Sequence, residues 1–240
     1  MTLICKLLKG KTIMFAKLPA ILTALKNKEL IILVDDEGRE NEGDLVFAAD
    51  FVSNKTINFM ITYGKGLVCV PLEESVAKRL SLPLMVDDNT CPHGTKFTIS
   101  VDAKQGTSTG ISASDRSKTI SLLASKNSKS GEFISPGHVF PLIAHPGGVL
   151  HRAGHTESSI ELCRLAGLTP AAVICEIIGA DGEMLRGMGL VNFANKHSLK
   201  IFKINDLVEY KKNLLLTKSI SKSVLKTNPV RNTSFESSRS

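Results

Sequence analysis

The chain has 240 residues, 42% of them hydrophobic, enough for one large domain or two small ones with a sizeable core. It contains no run of about 18 apolar residues, which excludes a membrane-spanning helix, and Lys6, Lys9 and Lys11 break up the apolar N-terminus, which argues against a secretory signal. The net charge of +7 is an end effect: residues 1–28 and 211–240 each carry +6, whereas 29–210 carries −5, so the body has no basic face for phosphate tracking, and neither nucleic acid nor membrane is an expected partner.

Pro19 opens a predicted helix with Leu18, Ile21, Leu22 and Leu25 on one face. Residues 30–34 (LIILV) follow as a buried strand. Ser53 is placed to cap a helix that ends near Gly64. Residues 66–70 (GLVCV) read as a strand, 73–80 as a short helix and 96–101 (KFTISV) as an alternating strand. The Pro- and Gly-bearing stretch 82–95 between them reads as irregular edge structure. A helix is expected from about Asp115 to Ala124, and a strand over 139–143. Thr156 to Ala166 reads as a helix stopped by Gly167. A strand over 171–177 (AAVICEI), a helix over 190–198, a strand over 200–204 and a last helix opened by Asp206 complete the body. Such alternation implies an α/β layered domain with helices on both faces of the sheet. From about Thr217 the chain is rich in Ser, Lys, Asn and Thr, the composition of a disordered or loosely docked tail. The expected division is an extension over 1–14, a domain over 15–212 and a basic tail over 213–240.

The five cysteines (Cys5, Cys69, Cys91, Cys163 and Cys175) are odd in number and form no CxxC pair. A disulfide framework or cysteine zinc site is therefore not expected, and a reducing, cytoplasmic compartment is. The first 28 residues lack acids, as transit peptides do, but they also lack Arg.

Four segments carry possible chemistry. Residues 35–44 (DDEGRENEGD) crowd six carboxylates around Arg39 at the end of a strand. The plain reading is a solvated turn; the functional one is a site for a divalent cation. Gly38 and Gly43 add backbone freedom and predict a loop that orders only when metal and ligand arrive. Residues 135–156 (SPGHVFPLIAHPGGVLHRAGHT) hold four of the six histidines. His151 and His155 are four apart, but Arg152 stands where a zincin needs Glu and Gly154 opposes a helix carrying both. Arg152, Gly154, His155 and Thr156 lie at a helix start, with Thr156 placed to cap it and free N–H groups placed for phosphate.

Residues 106–116 (GTSTGISASDR) look like an anion-binding turn or an ordinary N-cap, without a Walker Lys. Glu176 ends an apolar strand, where desolvation would suit it to proton transfer. Cys69 sits similarly, and reads more simply as a small buried hydrophobe. One imidazole among hard oxygens suits Mg²⁺ or Mn²⁺ better than zinc, and a phosphorylated small sugar is the substrate class.

In chain order, VDDEGRENEGDL, GLVCVPL, GTKFTISVDA, TSTGISASDR, PGHVFPL, GGVLHRAGHTE and AAVICEI resemble the 3,4-dihydroxy-2-butanone 4-phosphate synthases of riboflavin biosynthesis, over residues 17–210. The resemblance implies a lyase that converts D-ribulose 5-phosphate to L-3,4-dihydroxy-2-butanone 4-phosphate and formate. It implies Mg²⁺ or Mn²⁺, a metal-chelated enediolate and a skeletal rearrangement. It places metal on Glu40 and His155, and acid/base or active-site roles on His138, Glu176 and Cys69. Substrate contacts fall on Arg39, Asp44, Thr107, Arg152, Ala153, Gly154, His155, Thr156 and Glu176.

The implied fold is a three-layer α-β-α sandwich with a mixed twisted sheet, working as a homodimer with its active sites at the interface. Many members carry a fused GTP cyclohydrolase II domain; this chain's length and cysteines lead to the expectation of a monofunctional form. The competing readings are an RNA- or partner-binding protein acting through its basic ends, and another metal-dependent sugar-phosphate isomerase or aldolase.

Overall fold

Alternation along a few short strands organises the molecule. In the computed structural model, which describes residues 7–8, 11–12 and 15–227, strand β1 (Leu7–Leu8) pairs antiparallel with β2 (Lys11–Thr12) apart from the main sheet. Helix α1 (Leu18–Lys26) begins at its proline as the sequence predicts. It leads into β3 (Ile31–Val34), β4 (Gly43–Ala48), α2 (Asn54–Phe59), β5 (Cys69–Leu72) and α3 (Glu74–Arg79). Then follow β6 (Lys96–Phe97), β7 (Val101–Ala103), α4 (Ala113–Ala124), β8 (Phe133–Ile143), α5 (His155–Leu165), β9 (Ala172–Glu176), α6 (Met188–His197), β10 (Lys200–Lys203) and α7 (Ile204–Thr227).

The main sheet has eight strands in the order β10-β3-β4-β9-β5-β8-β6, with β7 paired to β8. It is mixed: β10/β3 and β5/β8 run parallel, and the other pairs antiparallel. Successive side chains point to opposite faces. Ile31, Leu33, Val46, Cys69 and Ile174 pack with Ile21 and Leu25 of α1, Leu162 of α5 and Leu207 of α7. Ile32, Leu45, Phe47, Val70, Val173 and Cys175 pack with Ile57 of α2, Ile120 and Leu123 of α4 and Leu190 of α6. Both faces are thus buried, giving the three-layer α-β-α sandwich.

Several elements depart from the sequence reading. β4 is fully buried and was not anticipated, because GDLVFA directly abuts the acidic run and its apolar stretch is short. KFTISV is two strands rather than one: β6 pairs with Leu142 and Ile143 of β8, whereas β7 pairs with Phe133, Ile134 and Val139 across a register shift. Between them Thr98 is fully buried, its N–H and hydroxyl both on the Pro141 carbonyl. β8 begins at Phe133, six residues before the expected start at Val139, running through Pro136 and Gly137 and including a cis Ser135–Pro136 peptide.

The helix capped by Ser53 does form, with the Ser53 hydroxyl accepting from Thr56 N, and it continues as a π-helical turn over Met60–Gly64. α7 runs to Thr227, past the point where disorder was expected, since its Lys and Leu content favours helix. The rest of that tail and most of the expected 1–14 extension lie outside the described residues. No helix among the described residues is long and apolar enough to cross a membrane.

Candidate active site at one end of the sheet

Strand pairing converges the chemically notable residues. Cys69 pairs with Phe140 on parallel β8 and with Ile174 on antiparallel β9. His138 and Glu176 each lie two residues from those partners toward the same sheet end. Asp44 pairs directly with Glu176 on one side and with Leu33 on the other. Counting by twos, Leu33, Asp44, Glu176 and Cys69 face the layer of α1, α5 and α7. The start of α5 lies over them and brings His155 down.

The acidic loop is organised by one carboxylate. Asp35 is buried and accepts from Arg39 Nη1 at 2.6 Å, from Glu40 N at 3.2 Å and from Glu42 N at 2.9 Å. Burial pushes its carboxyl up, but the Glu42 N–H, His155, Arg39 and the Glu40 N–H outweigh that and hold it below its ordinary value. Outside the loop, Asp36 accepts from Asn205 Nδ2 at 2.7 Å and Glu42 pairs with Arg186 at 2.9 Å. The loop is therefore tied down by its own side chains and backbone, beyond the freedom its glycines suggest. The reason is that Asp35 acts as an internal acceptor, a role a bare count of like charges hides.

Glu40 and His155 come together across this loop. Glu40 Oε2 lies 3.8 Å from His155 Nδ1 and also takes Arg39 Nη1. His155 is buried, which lowers its pKa and keeps the imidazole neutral and fit to be a ligand. Its Nε2 has no hydrogen-bond partner among the described residues and lies 4.0 Å from Asp44 Oδ1. Asp35, Glu40 and His155 each offer a ligand atom within 4.8 Å of the others. Two carboxylates and one imidazole with an orphaned nitrogen fit a hard divalent cation. Asp35 carries three of the loop's own hydrogen bonds and Glu40 one, so Glu40 and His155 are the less committed members of the group.

Gly154, not Thr156, is the N-cap of α5; Thr156 is buried one position inside the helix. A glycine cap contributes no side-chain acceptor. The first intrahelical bond is Ser158 N to Gly154 O, which leaves the N–H groups of His155, Thr156 and Glu157 without intrahelical acceptors. Arg152 does not hang free beside them. Its Nε donates to His93 O at 3.0 Å, Nη1 to Glu157 Oε2 at 2.7 Å and Nη2 to Thr95 Oγ1 at 2.6 Å. It fastens the irregular 91–95 stretch to α5 and, through Ala153, sets the helix start. His93 Nε2 then lies 4.0 Å from Glu40 Oε1.

Asp44 and Glu176 bring two carboxyl groups together. Asp44 is fully enclosed, and burial, then Glu176 and Glu40, push its carboxyl well above the ordinary range. Glu176 Oε2 accepts Leu67 N at 2.8 Å. A Cβ on Gly66 would sit 2.4 Å from that oxygen, so only glycine permits the approach. The Cys69 thiol is pushed well up by burial, then by Glu176 and Asp44. These surroundings favour the neutral thiol, beside Glu176 on the same face of the sheet.

His138 is half-exposed, and its Nδ1 lies 2.7 Å from Asp102 Oδ2. The turn 106–116 does not await an anion. Asp115 fills it, accepting Ser108 N at 3.1 Å, Ser108 Oγ at 2.7 Å and Gly110 N at 3.0 Å. Thr107 Oγ1 is turned to Ala103 O at 2.7 Å. Sequence reasoning missed Asp102, His93, Thr95 and Glu157. Asp102 and Glu157 carried a faint signal as carboxylates inside otherwise buried elements, whereas His93 and Thr95 sat in a stretch with no periodicity at all.

The 3,4-dihydroxy-2-butanone 4-phosphate synthase family model matches residues 19–210. A protein of that name from Pseudomonas aeruginosa is 49% identical over 187 residues, 78% of this chain and 51% of the relative. The riboflavin biosynthesis protein RibBA of Aquifex aeolicus is 54% identical over 189 residues, 78% of this chain and 47% of the relative. The chain thus spans about half the length of these curated relatives. A solved 3,4-dihydroxy-2-butanone 4-phosphate synthase in complex with two magnesium ions superposes with TM-score 0.80 at 43% identity, covering 83% of this chain and 98% of that one. The Candida albicans synthase superposes with TM-score 0.76 at 48% identity, covering 82% and 97%. On the extent of these matches, the chain belongs to the 3,4-dihydroxy-2-butanone 4-phosphate synthase family.

Proposed function

We propose that this chain converts D-ribulose 5-phosphate to L-3,4-dihydroxy-2-butanone 4-phosphate and formate, the lyase step of riboflavin biosynthesis, with Mg²⁺ or Mn²⁺. The observation that carries this reading is the buried His155 ring at the foot of α5, with Nδ1 3.8 Å from Glu40 Oε2 and the orphaned Nε2 4.0 Å from Asp44 Oδ1. The atoms balance without a co-substrate: a five-carbon phosphate yields a four-carbon phosphate and formic acid. No redox cofactor is needed.

When bound, the cation polarises the sugar's carbonyl and adjacent oxygens. Glu40 and His155 hold it. The free N–H groups at the start of α5 take the phosphate, and the Arg152 brace keeps that turn in place for them. Asp44, with its raised pKa, is suited to hold a proton beside the sugar, and Arg39, tied to Asp35 and Glu40, is assigned a substrate contact from within the acidic loop. Glu176 and His138 are assigned the proton transfers that open and close the rearrangement. Cys69, beside Glu176, is a further catalytic candidate, and Thr107 a substrate contact.

We read the working unit as a homodimer whose active sites lie at the interface. Support comes from the exposed apolar side chains Leu67, Ile111 and Ile134, which lie in the segments flanking Glu176, Gly110 and His138. Light scattering after gel filtration should return twice the chain mass. The buried, free thiols of Cys69, Cys163 and Cys175 suit a reducing cytoplasm.

The functional test is incubation with ribulose 5-phosphate and Mg²⁺, following formate. Release by the wild type, abolished in Glu40→Ala and His155→Ala, is the expected result. An aldopentose phosphate without formate would instead establish an isomerase.

A further inference from the structure

Among the buried carboxyls that the reaction scheme leaves unassigned is Asp102 of β7, only 3% exposed. It addresses His138 twice. Its Oδ1 accepts the His138 backbone N–H at 2.9 Å, and its Oδ2 lies 2.7 Å from His138 Nδ1. The second contact cannot be read apart from the first. With Oδ1 taken by the backbone, Oδ2 is the acceptor left for the ring, so the ring offers Nδ1–H and its lone pair is placed on Nε2.

The surroundings are cut to this pair. Gly110 sits at φ +94°, and a Cβ there would lie 2.0 Å from Asp102 Oδ2 and 2.6 Å from His138 Nδ1. Gly110 is itself held by Asp115, which accepts its N–H at 3.0 Å and ties down Ser108 as well. The Gly137 N–H donates to Ser100 Oγ at 3.1 Å, so the backbone just before His138 is also anchored. The hydroxyl-rich turn that resembles an anion site in the sequence thus serves as packing against one oriented histidine.

We propose that Asp102 is a positioning residue. It fixes the Nδ1–H tautomer of His138, so that Nε2 is the atom presented for proton transfer. The proposal rests on His138 being a proton-transfer group of the reaction assigned above. Asp102 touches no substrate; it acts through the imidazole.

Asparagine separates orientation from occupancy. Two donors, the His138 backbone N–H and Nδ1–H, need two acceptor oxygens, and an amide has only one. In Asp102→Asn the amide oxygen goes to the backbone N–H and the NH₂ faces Nδ1. That selects the Nε2–H tautomer, with no lone pair left for the proton. The expected result is a kcat about 10²-fold lower with KM essentially unchanged, the scale of a lost general base. In a His138→Gln background the same substitution should cost nothing further.

The tautomer is read directly from imidazole ¹⁵N shifts of histidine-labelled protein, with His138 assigned by its loss in His138→Gln. The wild type should show neutral Nδ1–H, and Asp102→Asn should show Nε2–H. The wild-type spectrum alone decides the central point if the variant fails to fold: a neutral Nε2–H ring in the wild type overturns the proposal. So does an Asp102→Asn enzyme of undiminished kcat, or one whose loss persists undiminished without His138. Should the wild type release no formate, the assigned reaction fails while the tautomer measurement still stands.

Discussion

Asp44 on β4 and Glu176 on β9 stand directly opposite one another across an antiparallel pair, on the same face of the sheet. Like charges directly opposite destabilise a sheet, and Asp44 is fully enclosed. In the proposed reaction both carboxyl groups face the sugar phosphate, which gives the site a use for a pair that burdens the fold. Asp44→Asn removes the cost of keeping a buried carboxyl that burial and the facing Glu176 disfavour in its charged form, without changing shape. At neutral pH in EDTA the variant should therefore melt higher than the wild type, by an amount equivalent to about 1 kcal/mol, while formate release falls at least about 10²-fold. A lower melting temperature would show that Asp44 supports the fold rather than burdening it.

Glu40 and Asp35 lie in the same loop but do different work. Glu40 is set against His155, whereas Asp35 is spent on Arg39 and two backbone N–H groups. Calorimetric titration with Mn²⁺ should show binding lost in Glu40→Gln and in His155→Gln. Asp35→Asn should retain measurable binding yet unfold more easily by about 1–3 kcal/mol, because its amide would face donors that need an acceptor. Equal loss of binding in all three would make Asp35 a ligand in its own right.

The Arg152–Glu157 pair is 2.7 Å long, and the Glu157 side chain is only 1% exposed. Glu157 also accepts His145 N at 3.0 Å. Truncating it leaves the partly buried Arg152 with only His93 and Thr95 and removes the acceptor of the His145 N–H, so Glu157→Ala should cost about 1–3 kcal/mol in denaturant unfolding. It should also loosen the start of α5 and raise KM for the sugar phosphate more than it lowers kcat. Unchanged KM would separate this brace from phosphate binding.

Asp115 supplies a pH signature remote from the metal site. Hydrogen bonds from the Ser108 hydroxyl, the Ser108 N–H and the Gly110 N–H hold its carboxyl below its usual range, against the opposing effect of burial. A depressed carboxyl stabilises the fold above its unfolded-state value of about 3.9, and that stabilisation is lost as pH falls through the lower folded-state value. Wild type should therefore melt above Asp115→Asn at neutral pH, with the gap closing in acid below about pH 4. A gap independent of pH would mean the loop is held by sterics alone.

The residues differ in how far they announced themselves. Helix α1 was marked by Pro19, α2 by Ser53 and α5 by Gly167, because caps and stops are local physics. β4 was not legible, since its six residues follow the acidic run and its burial depends on β3 and β9 lying on either side. The split of 96–103 into β6 and β7 depends on the length of β8, which no local pattern carries.

Of the candidate site, Glu176 was readable as a carboxylate out of place in an apolar strand, whereas Glu40 and His155 were singled out as metal ligands only by the family resemblance. Asp102 and Glu157 were not, because their meaning lies in His138 and Arg152, which are 36 and 5 residues away. The six carboxylates of the acidic loop looked equivalent in sequence; hydrogen bonding separates Asp35, the organiser, from Glu40, which faces His155.

The most direct test of the account is the product balance. Purified protein with ribulose 5-phosphate and Mg²⁺ should yield formate by ¹H NMR and a four-carbon phosphate by ³¹P and ¹³C NMR in equal amounts. EDTA, Glu40→Ala and His155→Ala should each suppress both products together. A pentose phosphate as sole product, or formate released undiminished by Glu40→Ala, would contradict the assignment.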